Sequence, residues 1–179
     1  TDAGMVNEGG SKYIYMAIRR PNKPAGRFEP EELFAIDTGS GSGTSTEPWY
    51  VSGFPVDMTI FTKPSQMLNK QVHDRLRGGP ETVHTDSPDK EYTNQPFYKL
   101  SSNNGFVQYS SSLGGGWYAY MWRRAPGFFD VVAYEGDDAY TRSLKMNLGA
   151  PMELGIVKGR NTDSPNAWFV WHKDPSLQG

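Results

Sequence analysis

The chain has 179 residues, with 18 Lys and Arg against 20 Asp and Glu, for a formal charge of −2. A balance so near neutrality leaves no electrostatic footprint for nucleic acid. The absence of Cys excludes disulfides, thiolate metal sites and a cysteine nucleophile together.

Gly 20, Pro 13, Trp 5, Tyr 10 and Phe 9 suit many short strands joined by tight turns, so the expected class is all-β. Residues 1–11 are polar and glycine-bearing and read as a linker. Residues 12–20 carry apolar side chains at both alternating sets of positions, which predicts a strand covered on both faces. Residues 21–30 hold three prolines and predict a loop, residues 33–36 a short strand, and the Gly- and Ser-rich stretch 38–46 a flexible surface loop. Strands follow at 49–51 and 56–62. In 64–76, Leu68, Val72 and Leu76 would fit a short helix, but comparison with Trp168-Phe169-Val170-Trp171 favours a strand over 70–75. Residues 76–80 predict a turn and 82–84 an extended segment. Residues 97–100, 105–109 and 117–123 predict a meander whose Asn103-Asn104-Gly105 supplies positive φ. Two aromatic, β-branched runs around Ala125-Pro126-Gly127 read as neighbouring strands joined by a turn. Further strands are expected at 129–134, 141–146, 152–158 and 168–171. No apolar run is long enough to span a membrane, and the N-terminal residues lack signal-peptide character.

Three elements recur in the same order. Tyr13-Ile14-Tyr15-Met16-Ala17-Ile18-Arg19-Arg20-Pro21 matches Tyr118-Ala119-Tyr120-Met121-Trp122-Arg123-Arg124-Ala125-Pro126. Gly53-Phe54-Pro55-Val56-Asp57-Met58 matches Gly149-Ala150-Pro151-Met152-Glu153-Leu154, and Val72-His73-Asp74 stands beside Val170-Trp171-His172. The offsets, about 96 to 105 residues, imply tandem domain-sized units. The expected architecture is an antiparallel β-sandwich or jelly-roll-like fold with partial units at both ends. Residues 1–33 would hold a linker and the last strand of a preceding unit, 34–124 a complete unit, and 125–179 the start of a following one. Partial units and an opening Thr1-Asp2-Ala3 suggest a segment of a longer or processed polypeptide whose sheet edges are completed by other chain.

Phe128-Phe129-Asp130-Val131-Val132-Ala133-Tyr134-Glu135-Gly136, Asn147-Leu148-Gly149-Ala150-Pro151-Met152-Glu153-Leu154-Gly155-Ile156-Val157-Lys158 and Trp168-Phe169-Val170-Trp171-His172 resemble repeat units of marine tailed-phage virion proteins, of the cyanophage and pelagiphage kind. The similarity runs from about residue 53 to 172. Glu135-Gly136-Asp137-Asp138 lacks the family's second glycine, and Met146 stands where His is usual. The resemblance implies a concanavalin-like β-sandwich in a non-enzymatic virion component: a tail fibre, appendage or capsid decoration. Its partners would be other virion proteins or copies of itself, with host-surface glycan as a further candidate. The alternative is a carbohydrate-binding module or lectin-like domain.

Candidate chemistry is sparse. His73-Asp74 with His84-x-Asp86 could offer a metal two imidazoles and two carboxylates, but sequence neighbours on a strand face opposite ways. Asp137, Asp138 and Asp163 sit in oxygen-rich loops whose spacing matches no 12-residue calcium loop. Asp57 and Glu153 are equivalent positions in different units, which argues against the paired acids of a glycosidase. Ser110-Ser111-Ser112 lacks the strand-to-helix elbow of a hydrolase nucleophile. Neither a cofactor nor a metal is expected. Trp49, Tyr50, Trp117, Trp122, Trp168 and Trp171 could stack on sugar rings, although at least half should face the core. Trp49, Tyr50 and Trp171 are the ligand-binding candidates, Trp171 being placed outward by period-two alternation. One Arg of each pair, Arg19-Arg20 and Arg123-Arg124, is expected to pack its stem and ion-pair with an acid such as Asp37 or Asp130, anion binding being the alternative.

Overall fold

The computed structural model describes residues 9–18, 28–39, 48–93, 98–108, 116–161 and 167–177. Within these the chain is an all-β protein of antiparallel pairs: β1 (Lys12–Ile18), β2 (Phe34–Asp37), β3 (Tyr50–Val51), β4 (Met58–Thr62), β5 (Gln71–Asp74), β6 (Gly78–His84), β7 (Tyr98–Lys99), β8 (Gly105–Gln108), β9 (Tyr118–Trp122), β10 (Phe129–Glu135), β11 (Leu154–Gly159) and β12 (Phe169–His172). No helix among the described residues is long and apolar enough to cross a membrane. Two compact units form, one from residues 1–27, 87–91 and 124–179, the other from 28–86 and 92–123.

In the first unit the sheet order is β10-β1-β11-β12. Tyr13, Ile14, Tyr15, Met16 and Ala17 are all buried, so β1 is covered on both faces as its composition predicts. Tyr15 and Ala17 pack with Leu148, Met146, Met152, Val132, Tyr134 and Val157, and Tyr13 stacks on Tyr134 with centroids 5.2 Å apart. The division 1–33, 34–124 and 125–179 placed β1 and β10–β12 in separate incomplete units. The pairing instead joins them in one sheet, with β1 an inner strand hydrogen-bonded on both sides.

The second unit is a sandwich. Its five-stranded sheet, β2-β9-β4-β5-β6, presents Phe61, Ala119 and Met121 to a three-stranded sheet, β3-β8-β7, carrying Tyr50, Phe106 and Tyr98. Phe61 stacks on Trp117 at 4.4 Å and meets Tyr50, Tyr98 and Phe106 edge-on, the geometries favoured by the ring quadrupole.

The repeat is present in the hydrogen-bonding. Strands β10-β1-β11-β12 correspond to β2-β9-β4-β5 in order. Ala17 pairs with Asp130 as its counterpart Trp122 pairs with Phe34, and Leu154 pairs with His172 as Met58 pairs with Asp74. One junction is out of step: Met58 pairs with Trp122, but Leu154 pairs with Ile18 rather than Ala17. A one-residue slip exchanges the faces of a strand. Here it brings Gly155 under Tyr15 and Met152, where a Cβ would lie 2.9 Å from the Met152 sulfur and 3.0 Å from the Tyr15 hydroxyl. Glycine permits that approach.

Several local expectations are corrected. Residues 141–146 form no strand; their Met146 covers β1 instead. β6 begins at Gly78, inside the expected turn, and Pro80 is accommodated because β6 is an edge strand. β9 does not continue a meander from β8 but crosses to the other sheet between β2 and β4. Asn103, Asn104 and Gly105 are not among the positive-φ residues, since residues 100–104 make a longer connection than a two-residue turn. The strand over 70–75, favoured over a helix, is β5. At residues 125–128 the Phe128 N–H donates to the Ala125 carbonyl at 3.2 Å and Gly127 has φ 76°, a type II turn with Pro126 leading. Of the loops expected at residues 21–30 and 38–46, residues 21–27 and 40–46 lie outside the described residues.

Candidate functional site

A cavity of about 410 Å³ opens in the second unit, lined by Met67, Leu68, Asn69, Gln71, Thr82, His84, Tyr92 and Trp117. Gln71 and His84 are cross-strand partners on β5 and β6, which sends both side chains to one face. Thr82, two residues before His84, shares that face. Its backbone exchanges hydrogen bonds with Tyr92 at 2.8 and 3.0 Å, so the edge of β6 is bridged and the Tyr92 ring is brought over the sheet. That ring stacks on His84 with centroids 4.6 Å apart. Met67, Leu68 and Asn69 come from the β4–β5 connection.

The polar groups form two layers. Asn69 Nδ2 lies 3.0 Å from His84 Nδ1, a hydrogen bond between the two side chains. Behind the cavity, His73 Nε2 donates to Gln71 Oε1 at 3.3 Å, and Tyr98 also hydrogen-bonds Gln71. His73 is fully buried, packed against Tyr98 and Phe106, and burial pushes the Tyr98 hydroxyl up to about 12. Tyr98 therefore stays neutral at ordinary pH.

The three ring candidates fare differently from what alternation suggests. Trp49 is 7% exposed and Tyr50 3%; both belong to the core around Phe61, so neither offers a ring face for stacking. Burial raises the Tyr50 hydroxyl well above its ordinary range. Trp171 is half-buried beside Gly155, and its neighbour Val170 is the exposed residue of β12. Trp117 is core, while Trp122, against Phe34 at 5.1 Å, and Trp168 are half-buried.

The titratable candidates are held in pairs. Asp74 is buried against Arg77, whose backbone N–H also donates to it at 2.9 Å. Lys70 binds Asp86 through both its N–H and its ammonium, at 3.1 and 3.3 Å; these bonds outweigh partial desolvation and hold that carboxyl below its usual value. Asp57 and Glu153 lie in different units, ion-paired with Arg75 at 3.4 Å and Lys173 at 2.5 Å. Arg124 Nε donates to Asp130 at 2.6 Å, and Asp137 accepts from the Ala139 N–H at 3.1 Å. Asp138 has φ 58° and accepts from the Gly9 N–H. Among the described residues no three His, Cys, Asp or Glu come together as a metal site. Arg19, Arg20, Ser110 to Ser112 and Asp163 lie outside the described residues.

Sequence reasoning missed Asn69, Gln71, Thr82 and Tyr92. Their convergence depends on the β5–β6 register and on the Thr82–Tyr92 bridge, neither of which leaves a local motif. Comparison with known proteins finds no matching family model, no matching curated protein and no matching solved structure.

Proposed function

We propose that this chain is a non-enzymatic structural component of a tailed-phage virion, acting as a tail fibre, appendage or capsid decoration through contacts with other virion proteins or further copies of itself. The observation that carries the reading is the use of the repeated residues. The motifs that resemble phage repeat units are strand cores and turns: Phe129 buried at the start of β10, Leu148 in the core over β1, and Gly127 at the turn. The acids within and beside them serve as cross-links, Asp130 to Arg124 and the Asn147 N–H, and Glu153 to Lys173. Residues used in this way fix a shape, and a repeated shape suits assembly.

The test is mass spectrometry of purified particles from the phage that encodes the chain, with gold-labelled antibody to place it. Stoichiometric presence in washed particles and labelling at a defined position are expected. Finding it only in the infected-cell supernatant would overturn the reading.

A further inference from the structure

The cavity between β5, β6 and Tyr92 has a lining that selects for one kind of ligand. None of the eight described residues that line it is Asp, Glu, Lys or Arg, and Asn69 meets His84 Nδ1 at 3.0 Å. Among these residues an ionic ligand would find no side chain of opposite charge. A purely apolar ligand would strand the amides of Asn69 and Gln71 away from water. The volume lies within the range of small-molecule sites, roughly 300 to 1,000 Å³.

The lining is also organised in advance. Gln71 is held from behind by buried His73 and by Tyr98, so its amide does not turn freely. Tyr92, 39% exposed, is fixed at its backbone by Thr82 and at its ring by His84. Exposed Met67 and Leu68 add apolar surface at the rim. An oriented aromatic ring beside oriented amides, without net charge, matches a molecule with one C–H face and a fringe of hydroxyls.

We propose that this cavity is a binding site for a neutral saccharide, its C–H face against Tyr92 and its hydroxyls on Asn69 and Gln71. The inference is independent of the virion reading, because a free or a particle-bound chain would carry the same site.

Titration of the full chain with methyl glucoside, methyl galactoside and N-acetylglucosamine, followed by amide chemical shifts, tests it. At least one should bind saturably with a Kd of about 0.1 to 10 mM. Asn69→Ala and Tyr92→Ala should each weaken binding tenfold or more, while Trp171→Ala leaves it unchanged. Should Tyr92→Ala fail to fold, exposed Asn69 decides the matter alone. No saturable shift up to ~50 mM sugar would overturn the proposal. So would binding that survives Asn69→Ala, binding lost with Trp171, or tighter binding of phenol than of any sugar.

Discussion

The two units share a strand plan, and their connecting segments pack on opposite faces of it. In the first, residues 136–153 carry Met146, Leu148 and Met152 onto the face that bears Tyr15 and Ala17. In the second, residues 48–57 deliver Trp49, Tyr50, Phe54 and Val56 to the face of Ala119 and Met121, whose counterparts in the first unit are Ile14 and Met16. The face equivalent to Tyr15's, with Tyr118 and Ile36, remains 37% and 54% exposed at those residues. Strand pairing is thus carried by the strands, and coverage by the connection. β3 pairs with β8, which commits the second unit's connection to the opposite sheet. The first unit's connection forms no strand and lies down as irregular chain.

The largest effects should come from each unit's central ring. Phe61→Ala removes a side chain in contact with four other rings, and Phe129→Ala empties the start of β10, where Phe129 is buried. Each should cost about 3 to 5 kcal/mol in chemical denaturation. If the two units are separate cooperative cores, each variant will lower one transition and leave a second near its original midpoint. A single transition lowered equally by both would show that the units unfold together, and the comparison would then describe parts of one core.

Next comes the difference in coverage. Leu148→Ala, in the segment over β1, should cost about 2 to 4 kcal/mol. Ile36→Ala, on the open equivalent face, should cost less than about 1 kcal/mol. Equal losses would mean that the face of Tyr118 and Ile36 is covered in solution.

How far this was legible from sequence depends on the element. Strands rich in aromatic and β-branched residues were readable because their composition is a local signal; β1, β4, β9 and β10 form where it predicts, but β9 and β10, expected as neighbours across the Pro126 turn, belong to different sheets. The kinship of the units was readable from Tyr13-Ile14-Tyr15-Met16 and its copy. Which face each connection covers was not, since β1 and β9 are both apolar at both alternating sets of positions. For the same reason Trp49 and Tyr50 could pass as platforms: nothing in two adjacent rings says that both will be buried in the core around Phe61. The cavity was least legible, because Asn69, Gln71 and Tyr92 meet only through tertiary pairing.

A smaller effect is confined to the first unit. Lys158 pairs with Ile14 where, in the second unit, Phe61 pairs with the equivalent Ala119. Its side chain is fully buried, with Nζ donating to the Pro88 carbonyl at 2.9 Å, and desolvation lowers its pKa to about 8, only partly offset by Asp89. Below pH 8 both folded and unfolded chains hold the proton, and the burial penalty is fully present. Between pH 8 and 10 the unfolded chain keeps a proton that the folded chain has lost, so stability rises with pH, by about 2 to 3 kcal/mol. Above pH 10 the sign reverses, because burial holds Tyr15 and Tyr134 at about 12 while unfolded tyrosines ionise. Lys158→Met should flatten the rise between pH 8 and 10 and raise stability at pH 7, measured by denaturation at each pH. A rise unchanged by the substitution would move its origin elsewhere.

The smallest expected effect is the most direct test of equivalence. Arg75 and Lys173 follow β5 and β12, and each donates its backbone N–H to the acid ahead of the partner strand, to Asp57 at 2.8 Å and Glu153 at 2.9 Å. Each also pairs with that acid through its side chain, at 3.4 and 2.5 Å. The backbone bonds survive alanine substitution, so a double-mutant cycle isolates the charge interaction from the register. Both basic side chains are partly exposed, and the coupling should be about 0.2 to 1 kcal/mol in each unit, shrinking in 1 M salt. Arg75→Ala alone should cost more than Lys173→Ala, because the guanidinium also donates twice to the Val56 carbonyl, at 3.2 and 2.8 Å. A coupling above about 2 kcal/mol at one site and none at the other would show that the matched acids and bases do different jobs, leaving the strands as the repeated part of the design.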